Sequence, residues 1–182
     1  MAIFFADGTS WTTATVSAGK ILQVVTDQVT SSSNCTPDNQ LVFKDIPLSK
    51  SITPSATSSK ILVSFTLFGD CQGTDSGHYF RVKRAISGGS TTFITAADQG
   101  QRTGTLLLGG MGIEESDYGH SAQIITMSDY VDSPSTTSAV TYTVQHTSHG
   151  SDTFYMNKTE DTNNQDARED GISWLTLKEL GA

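Results

Sequence analysis

The sequence predicts an all-β chain: an antiparallel β-sandwich of jelly-roll type carried behind a short N-terminal arm. Three observations lead there. Ser and Thr supply about a quarter of the residues, and their short polar side chains suit exposed strand faces and turns far better than helix interiors. Short segments alternate apolar and polar residues with a period of two, the spacing of a strand with one face in a core. Between them lie stretches rich in Gly, Ser, Asp and Asn, and no longer window carries a helical period.

Residues 1–19 stand apart. IFF is a short apolar patch and ADGTSWTTA reads as a turn carrying an aromatic, so Ile3, Phe4, Phe5 and Trp11 are the candidate contacts of an attachment arm. The sandwich is expected over 20–182. Its first strand falls at 20–30 (KILQVVTDQVT). The clearest alternation follows at 60–68 (KILVSFTLF), with Ile61, Val63, Phe65 and Leu67 on one face and Leu62, Ser64, Thr66 and Phe68 on the other. Strands are then expected at 79–86 (YFRVKRAI), 91–96 (TTFITA) and 122–131 (AQIITMSDYV). At 139–147 (AVTYTVQHT), Val140, Tyr142 and Val144 alternate with Thr141, Thr143, Gln145 and Thr147, which predicts a strand with one face in water. Two more follow at 153–157 (TFYMN) and 172–178 (ISWLTLK). Loops are expected at 69–77 (GDCQGTDSG), 109–120 and 159–170. Eight short strands with turn signals between them fit two packed antiparallel sheets rather than βαβ units.

Charge excludes several classes of function. The 182 residues carry 11 basic and 19 acidic side chains, a formal net charge of -8. Nucleic-acid binders need Lys and Arg to displace condensed counterions, so DNA and RNA are not expected partners. The acidity is concentrated after residue 113, where 3 basic side chains face 12 acidic ones, a distribution that argues against docking on anionic lipid. No apolar run reaches the length of a membrane span, and MAIFFADGTS lacks the basic n-region and apolar stretch of a signal peptide. Neither membrane insertion nor secretion is expected, and synthesis in the cytoplasm is. Cys35 and Cys71 have no C-x-x-C spacing and read as small buried thiols; a bridge between them would imply an oxidising location.

No catalytic constellation emerges. The G-x-S-x-G elbow is absent, and the protease-like TDSG around Ser76 precedes all four histidines. His146 and His149 form H-x-x-H, but the span runs off the end of a strand, so the rings need not share a centre. The run from Glu160 to Asp170 has the composition of a calcium loop, yet Asp166 and Ile172 stand where an EF-hand starting at Asp161 needs Gly and Glu. Glu114, Glu115 and Asp117 near Asp129 or Asp132 would be the carboxylates of a glycosidase, if there were one. LLLGGMG lacks the Lys of a phosphate loop. The chain is therefore read as non-enzymatic, with no cofactor and no metal.

Four segments, spread in order along the chain, carry a resemblance: ADGTSWTTA, GKILQVV at 19–25, SITPSATSSKILVSF at 51–65 and SWLTLKEL at 173–180. Together they resemble small virion structural proteins of tailed bacteriophages, especially marine ones, of the short-fibre, fibre-tip or capsid-decoration type. The resemblance implies a compact sandwich, commonly a homotrimer, held to other virion proteins of capsid or tail by its N-terminal segment. It also implies a place on the virion after synthesis in the host cytoplasm, with contact to a host surface glycan through polar loops. Asp117, Tyr118, Asn163 and Asn164 are the receptor-facing candidates, and Tyr79, Tyr130 and Trp174 are further aromatics able to stack on sugars. The alternative from another class is a carbohydrate-binding module or small glycan-active enzyme. An intracellular host-takeover protein is a third.

The arm assignment is testable. Deleting residues 1–18 is expected to leave a folded sandwich, judged by circular dichroism and a cooperative melt, that no longer joins its particle; an unfolded truncation would overturn it.

Overall fold

The computed structural model describes residues 20–73, 77–94, 122–160 and 169–181, and the backbone alone of 3–4, 10–11, 108–111, 114–115 and 119–120. Every regular element among them is a strand. In chain order they are β1 (Ile3–Phe4), β2 (Ser10–Trp11), β3 (Ile21–Val29), β4 (Ser33–Cys35), β5 (Lys44–Ile52), β6 (Lys60–Cys71), β7 (Gly77–Ile86) and β8 (Thr91–Ile94). There follow β9 (Leu108–Met111), β10 (Glu114–Glu115), β11 (Gly119–His120), β12 (Gln123–Asp132), β13 (Val140–Ser148), β14 (Phe154–Met156) and β15 (Ser173–Leu180).

Two antiparallel sheets hold most of them, and β6 organises the first. One side of β6 pairs with β12, and the other pairs with β15 over Lys60–Thr66 and then with β14 over Gly69–Cys71. β3 pairs with β15 and β4 with β14, so β3 and β4 form one line and β14 and β15 another. In the second sheet β5 pairs with β13 and β13 with β7, whose far side takes β8 and then β9. Eight lines result, and along the chain the pairings nest: first with eighth, second with seventh, third with sixth, fourth with fifth. β1 pairs with β2, opposing Ile3 and Trp11, and β10 pairs with β11.

Period-two alternation puts the core between the sheets. Ile61, Val63, Phe65 and Leu67 of β6 and Leu175 and Leu177 of β15 meet Ile46, Leu48, Phe80, Val82, Tyr142 and Val144 of the second sheet, all essentially without exposure. Burying side chains of this size stabilises by roughly 1.5–3 kcal/mol each. Cys35 and Cys71 are both buried and free. They oppose Phe154 from its two sides, so the whole of β14 separates them. Two strand spacings of about 4.8 Å exceed the Cα separation that a disulfide spans, roughly 7 Å at most.

Several expectations change. Residues 44–52 were expected to carry no strand, yet β5 is there; Pro47 is tolerated because β5 pairs only with β13 and its ladder shifts register between Thr143 and Gln145, where Pro47 has no donor to offer. The segments at 153–157 and 172–178 are two halves of one line. The loop expected at 69–77 begins only after Cys71, because β14 extends the sheet there. A Cβ on Gly69 would run into the Tyr155 carbonyl and the Phe154 ring, so glycine lets the two strands approach. Finally, the outward face of β13 is largely out of water: Gln145, bonded to Arg81 and Asp45, is 6% exposed and Thr147 0%.

A buried polar knot joins β14 to β15. Asn157 leaves β14 with φ at 62°, a left-handed conformation that Asn tolerates better than most residues. Its amide nitrogen donates to the carbonyls of Val29 and Ser31, at 2.7 and 3.0 Å, and its oxygen accepts from Ser173 Oγ at 2.7 Å. The Phe68 N–H donates to Ser173 Oγ, and the Asn157 N–H donates to the Phe68 carbonyl. One side chain thus ties three lines of the sheet. Asn157→Ala should cost about 2–4 kcal/mol, combining unsatisfied buried groups with left-handed strain. Asn157→Gly, which keeps the backbone conformation, should recover about 1 kcal/mol of that loss in urea unfolding; equal losses in the two variants would show that backbone strain plays no part.

Candidate functional site

The arm residues Ile3, Phe4 and Trp11 are described only as backbone of β1 and β2, and Phe5 lies outside the described residues. Asp117, Tyr118, Asn163, Asn164 and Ser76 also lie outside them. Among the sugar-stacking candidates, Tyr79 is half-buried, while Tyr130 is 37% and Trp174 41% exposed. They do not converge: Trp174 sits on the outer face of the first sheet, Tyr79 on that of the second. His146 is fully buried and His149 exposed, so H-x-x-H has no common centre. The candidate carboxylates are engaged elsewhere. Asp129 accepts from Lys178 Nζ and Ser64 Oγ, both at 3.0 Å. Asp132 accepts from Arg84 and from the Tyr142 hydroxyl, each at 2.7 Å. Among the described residues no group of three or more His, Cys, Asp or Glu is placed to hold a metal ion.

Three clusters that the sequence reading missed occupy apolar-parity positions, facing the core. Glu179 follows Leu175 and Leu177 inward on β15 and is 1% exposed. Its Oε1 accepts from the Ser55 N–H and Oγ at 2.6 Å and from Ser59 Oγ at 2.7 Å, and its Oε2 accepts from Gln23 Nε2 at 2.6 Å. Burial alone would raise the carboxyl pKa; the four hydrogen bonds outweigh it and hold the value at about 2. The cradle fastens the β5–β6 loop and β3 to the C-terminal strand.

The second cluster crosses the sandwich. Arg84 of β7 and Tyr142 of β13 both donate to Asp132 of β12, joining the two sheets through a largely buried ion pair. Burial, and then the Asp132 carboxylate, push the Tyr142 phenol upward. Removing one member would leave the other charge unpaired and poorly solvated.

The third cluster is a pair of imidazoles. His78 Nδ1 and His146 Nε2 are 2.9 Å apart, and His78 Nε2 lies 2.8 Å from the Gln72 carbonyl. That carbonyl can only accept, so His78 carries its proton on Nε2 and His146 donates through Nε2 to His78 Nδ1. His146 Nδ1 is then left without a hydrogen bond in the core. The rings stack at 5.1 Å beside Phe80 and Phe154. Burial lowers both pKa values below 6.5, the neighbouring His78 adding to the effect on His146, while Asp152 opposes it at His78.

The outer faces differ from one another. On the first sheet, Val24, Lys178, Leu62 and Val131 form one cross-strand rung, and Gln28, Trp174, Thr66 and Thr126 another. Exposure reaches 54% at Val24, 56% at Val131 and 70% at Ile124. The charges on these rungs are confined to the Lys178–Asp129 pair. On the second sheet the rung Asp45–Gln145–Arg81 is polar, and the Arg81 guanidinium lies between the rings of Phe43 and Phe93, 3.9 and 3.7 Å from their centroids.

No protein-family model matches this chain, and no curated protein matches it. Two solved structures of infectious bursal disease virus are similar to it. The Gx strain structure aligns at 8% identity and a TM-score of 0.38, over 89% of this chain and 38% of that one. The Gt strain structure aligns at 10% identity and a TM-score of 0.39, over 88% and 42%. The chain thus spans about two fifths of the chains it matches. Neither is a tailed-bacteriophage protein, so the phage assignment rests on the four sequence phrases alone.

The clusters predict acid lability in two steps. The histidines bind protons more weakly when folded than when unfolded, so stability falls as pH drops below about 6.5. Glu179 stabilises the fold above its ordinary value near 4.5 and loses that contribution as pH falls toward about 2. In thermal melts, replacing both His78 and His146 by Phe should flatten the Tm between pH 6.5 and 4.5 while keeping the fall below 4.5; an unchanged upper slope would exclude the imidazoles as its source.

Proposed function

We propose that this chain is a non-enzymatic structural protein of a virus particle, a single jelly roll displayed on a tailed phage as a short fibre, fibre tip or capsid decoration. The nested pairing of its eight strand lines supports the jelly-roll reading. One observation carries the assembly role: the outer face of the first sheet exposes Val24, Ile124, Val131 and Trp174 on regular strands, and its charges among the described residues are few, Lys178 paired with Asp129 and Lys60 at the start of β6. A chain of net charge -8 repels its own copies over most of its surface. A sparsely charged, partly apolar sheet face is where copies meet at least electrostatic cost.

In this reading the face packs between copies of a homotrimer, and the N-terminal arm with Ile3, Phe4, Phe5 and Trp11 holds the trimer to a capsid or tail protein. The His, Asp and Glu side chains of the core act as struts. The proposed place is the virion, after synthesis in the host cytoplasm, with polar loops around Asp117, Tyr118, Asn163 and Asn164 turned to a host glycan.

Cryo-electron microscopy of purified particles is the direct test. Three-fold density fitting this sandwich on the shell or the tail is the expected result; absence of the chain from particles, by mass spectrometry, would overturn the proposal. In sedimentation, Ile124→Lys with Val131→Lys should convert a trimer to a monomer with an unchanged melt. A wild-type monomer, or a doubly substituted trimer, would remove this face as the contact.

A further inference from the structure

We infer that the outer face of the second sheet is a binding site for a carboxylate-bearing saccharide, centred on Arg81 and Phe93. This goes beyond the particle role and does not depend on it. The starting point is an arginine whose position is fixed on every side but one. Its guanidinium is clamped between Phe43 and Phe93, 3.9 and 3.7 Å from their centroids, and its Nε donates to Gln145 Oε1 at 2.7 Å. Gln145 is fixed in turn, donating to Asp45 Oδ1 at 2.6 Å, and Lys83 pairs with the other Asp45 oxygen. Among the described residues nothing accepts from the Arg81 Nη nitrogens. The in-plane fork of donors that matches a carboxylate is therefore held ready and unspent.

The surroundings specify more than an anion. Phe93 is 44% exposed, so one side of its ring clamps Arg81 and part of the rest faces outward, a surface on which the C–H face of a pyranose can lie. The next rung toward the other end of the face is Ser49–Thr143–Lys83–Phe93, and beyond it comes Ser51–Thr141–Ala85–Thr91. Their hydroxyls already pair across strands, Ser49 with Thr143 at 2.8 Å and Ser51 with Thr141 at 2.7 Å. Thr143 is buried and Ser49 Oγ also reaches the Tyr142 carbonyl, at 3.2 Å, while the exposed Ser49 and Ser51 hydroxyls keep acceptor capacity for a polyol. A face presenting one aromatic ring, one immobilised guanidinium with free Nη donors and two exposed serine hydroxyls, its lysine already paired with Asp45, fits a uronic or sialic acid unit. An acidic peptide would use the guanidinium but neither the ring nor the hydroxyls. Clamping also reduces the side-chain entropy lost on binding, which suits an exposed site without a pocket.

The test is calorimetric titration of the full chain with tetragalacturonate and with sialyllactose. The neutral counterparts, a galactotetraose and lactose, and a Glu-rich peptide of equal charge serve as comparison. Binding of at least one carboxylated saccharide is expected, at least tenfold tighter than its neutral counterpart and than the peptide. Arg81→Lys should lose tenfold or more, since an ammonium cannot offer a planar fork, and Phe93→Ala should lose a similar factor. Phe93→Ala lies outside the core and should leave the melt nearly unchanged, whereas Arg81→Lys takes the Nε donor from the buried Gln145 and should lower it modestly; if one variant unfolds, the other still decides. No binding at millimolar saccharide would overturn the inference. Equal affinity for neutral sugars or for the peptide would overturn the ligand class, and full affinity in Arg81→Lys would overturn the site.

Discussion

A carboxylate with no cation beside it fixes the corner on which the sandwich closes. Glu179 gives up nearly all contact with water, a cost of several kcal/mol unless its lone pairs are satisfied, and four neutral donors satisfy them. Those donors come from two separated parts of the chain: Gln23 on β3, and Ser55 and Ser59 in the loop that leads into β6. The set is complete only when the first, third and eighth lines are in register. The same corner binds the two sheets, through the Ser49 N–H donating to Asp27 and Gln23 Nε2 donating to the Thr53 carbonyl. Three of the four phrases that resemble phage virion proteins, GKILQVV, SITPSATSSKILVSF and SWLTLKEL, are those that meet here. Their meeting has a physical reason in folding: the Ser-rich phrase is the cradle and the last phrase carries the carboxylate.

The same economy runs through the remaining interior polar groups. Asn157 and Ser173 tie β14, β15, β3 and β6 at one end, while Asp132 links Arg84 and Tyr142 across the sheets. A purely apolar sandwich of alternating strands tolerates register slips of two residues, because the inward set stays inward. A slip here would leave a buried carboxylate or amide without its partner, at roughly 1–3 kcal/mol each or more for a charge. The polar groups thus select one register among several that hydrophobic burial would accept. The imidazole pair and the Asp132 cluster each keep one buried nitrogen without a bond, His146 Nδ1 and Arg84 Nε, and the imidazoles, held neutral by burial, make their end of the core sensitive to acid.

Strand periodicity made most of the fold legible, and its failures have identifiable causes. β6 and β13 alternate over eight or more residues, β7 and β12 over fewer, and all four are found where expected. β5 escaped because Pro47 interrupts Ile46 and Leu48, and only its edge position and register shift make that proline harmless. β14 and β15 read as two strands because the excursion over 158–170 hides their collinearity. The buried polar residues were legible in principle: Glu179 continues the parity of Leu175 and Leu177, His146 that of Tyr142 and Val144, and Arg84 that of Phe80 and Val82. A charged or polar side chain on the apolar parity of a strand signals a satisfied interior network. The Arg81 clamp was not legible, since Phe43 precedes β5, Arg81 lies on β7 and Phe93 on β8, and the three meet only once the sheet order is known.

That sheet order also makes the two outward faces unlike each other. Outward residues of the first sheet come from β3, β6, β12 and β15, whose polar parity is mostly Thr and Ser with apolar residues toward the ends, so the face is flat and nearly neutral. Outward residues of the second sheet come from β5, β7, β8 and β13, which supply Asp45, Arg81, Lys83, Phe93 and Gln145. Arg81 and Asp45 bond Gln145, which is buried, adding a thin polar layer to that part of the sheet. A face that covers itself has less need of a protein partner than one that leaves Val131 and Ile124 bare. A face with oriented, unspent donors has more use for a small polar ligand. Protein contact on the first sheet and ligand contact on the second is the division that uses each surface according to its chemistry.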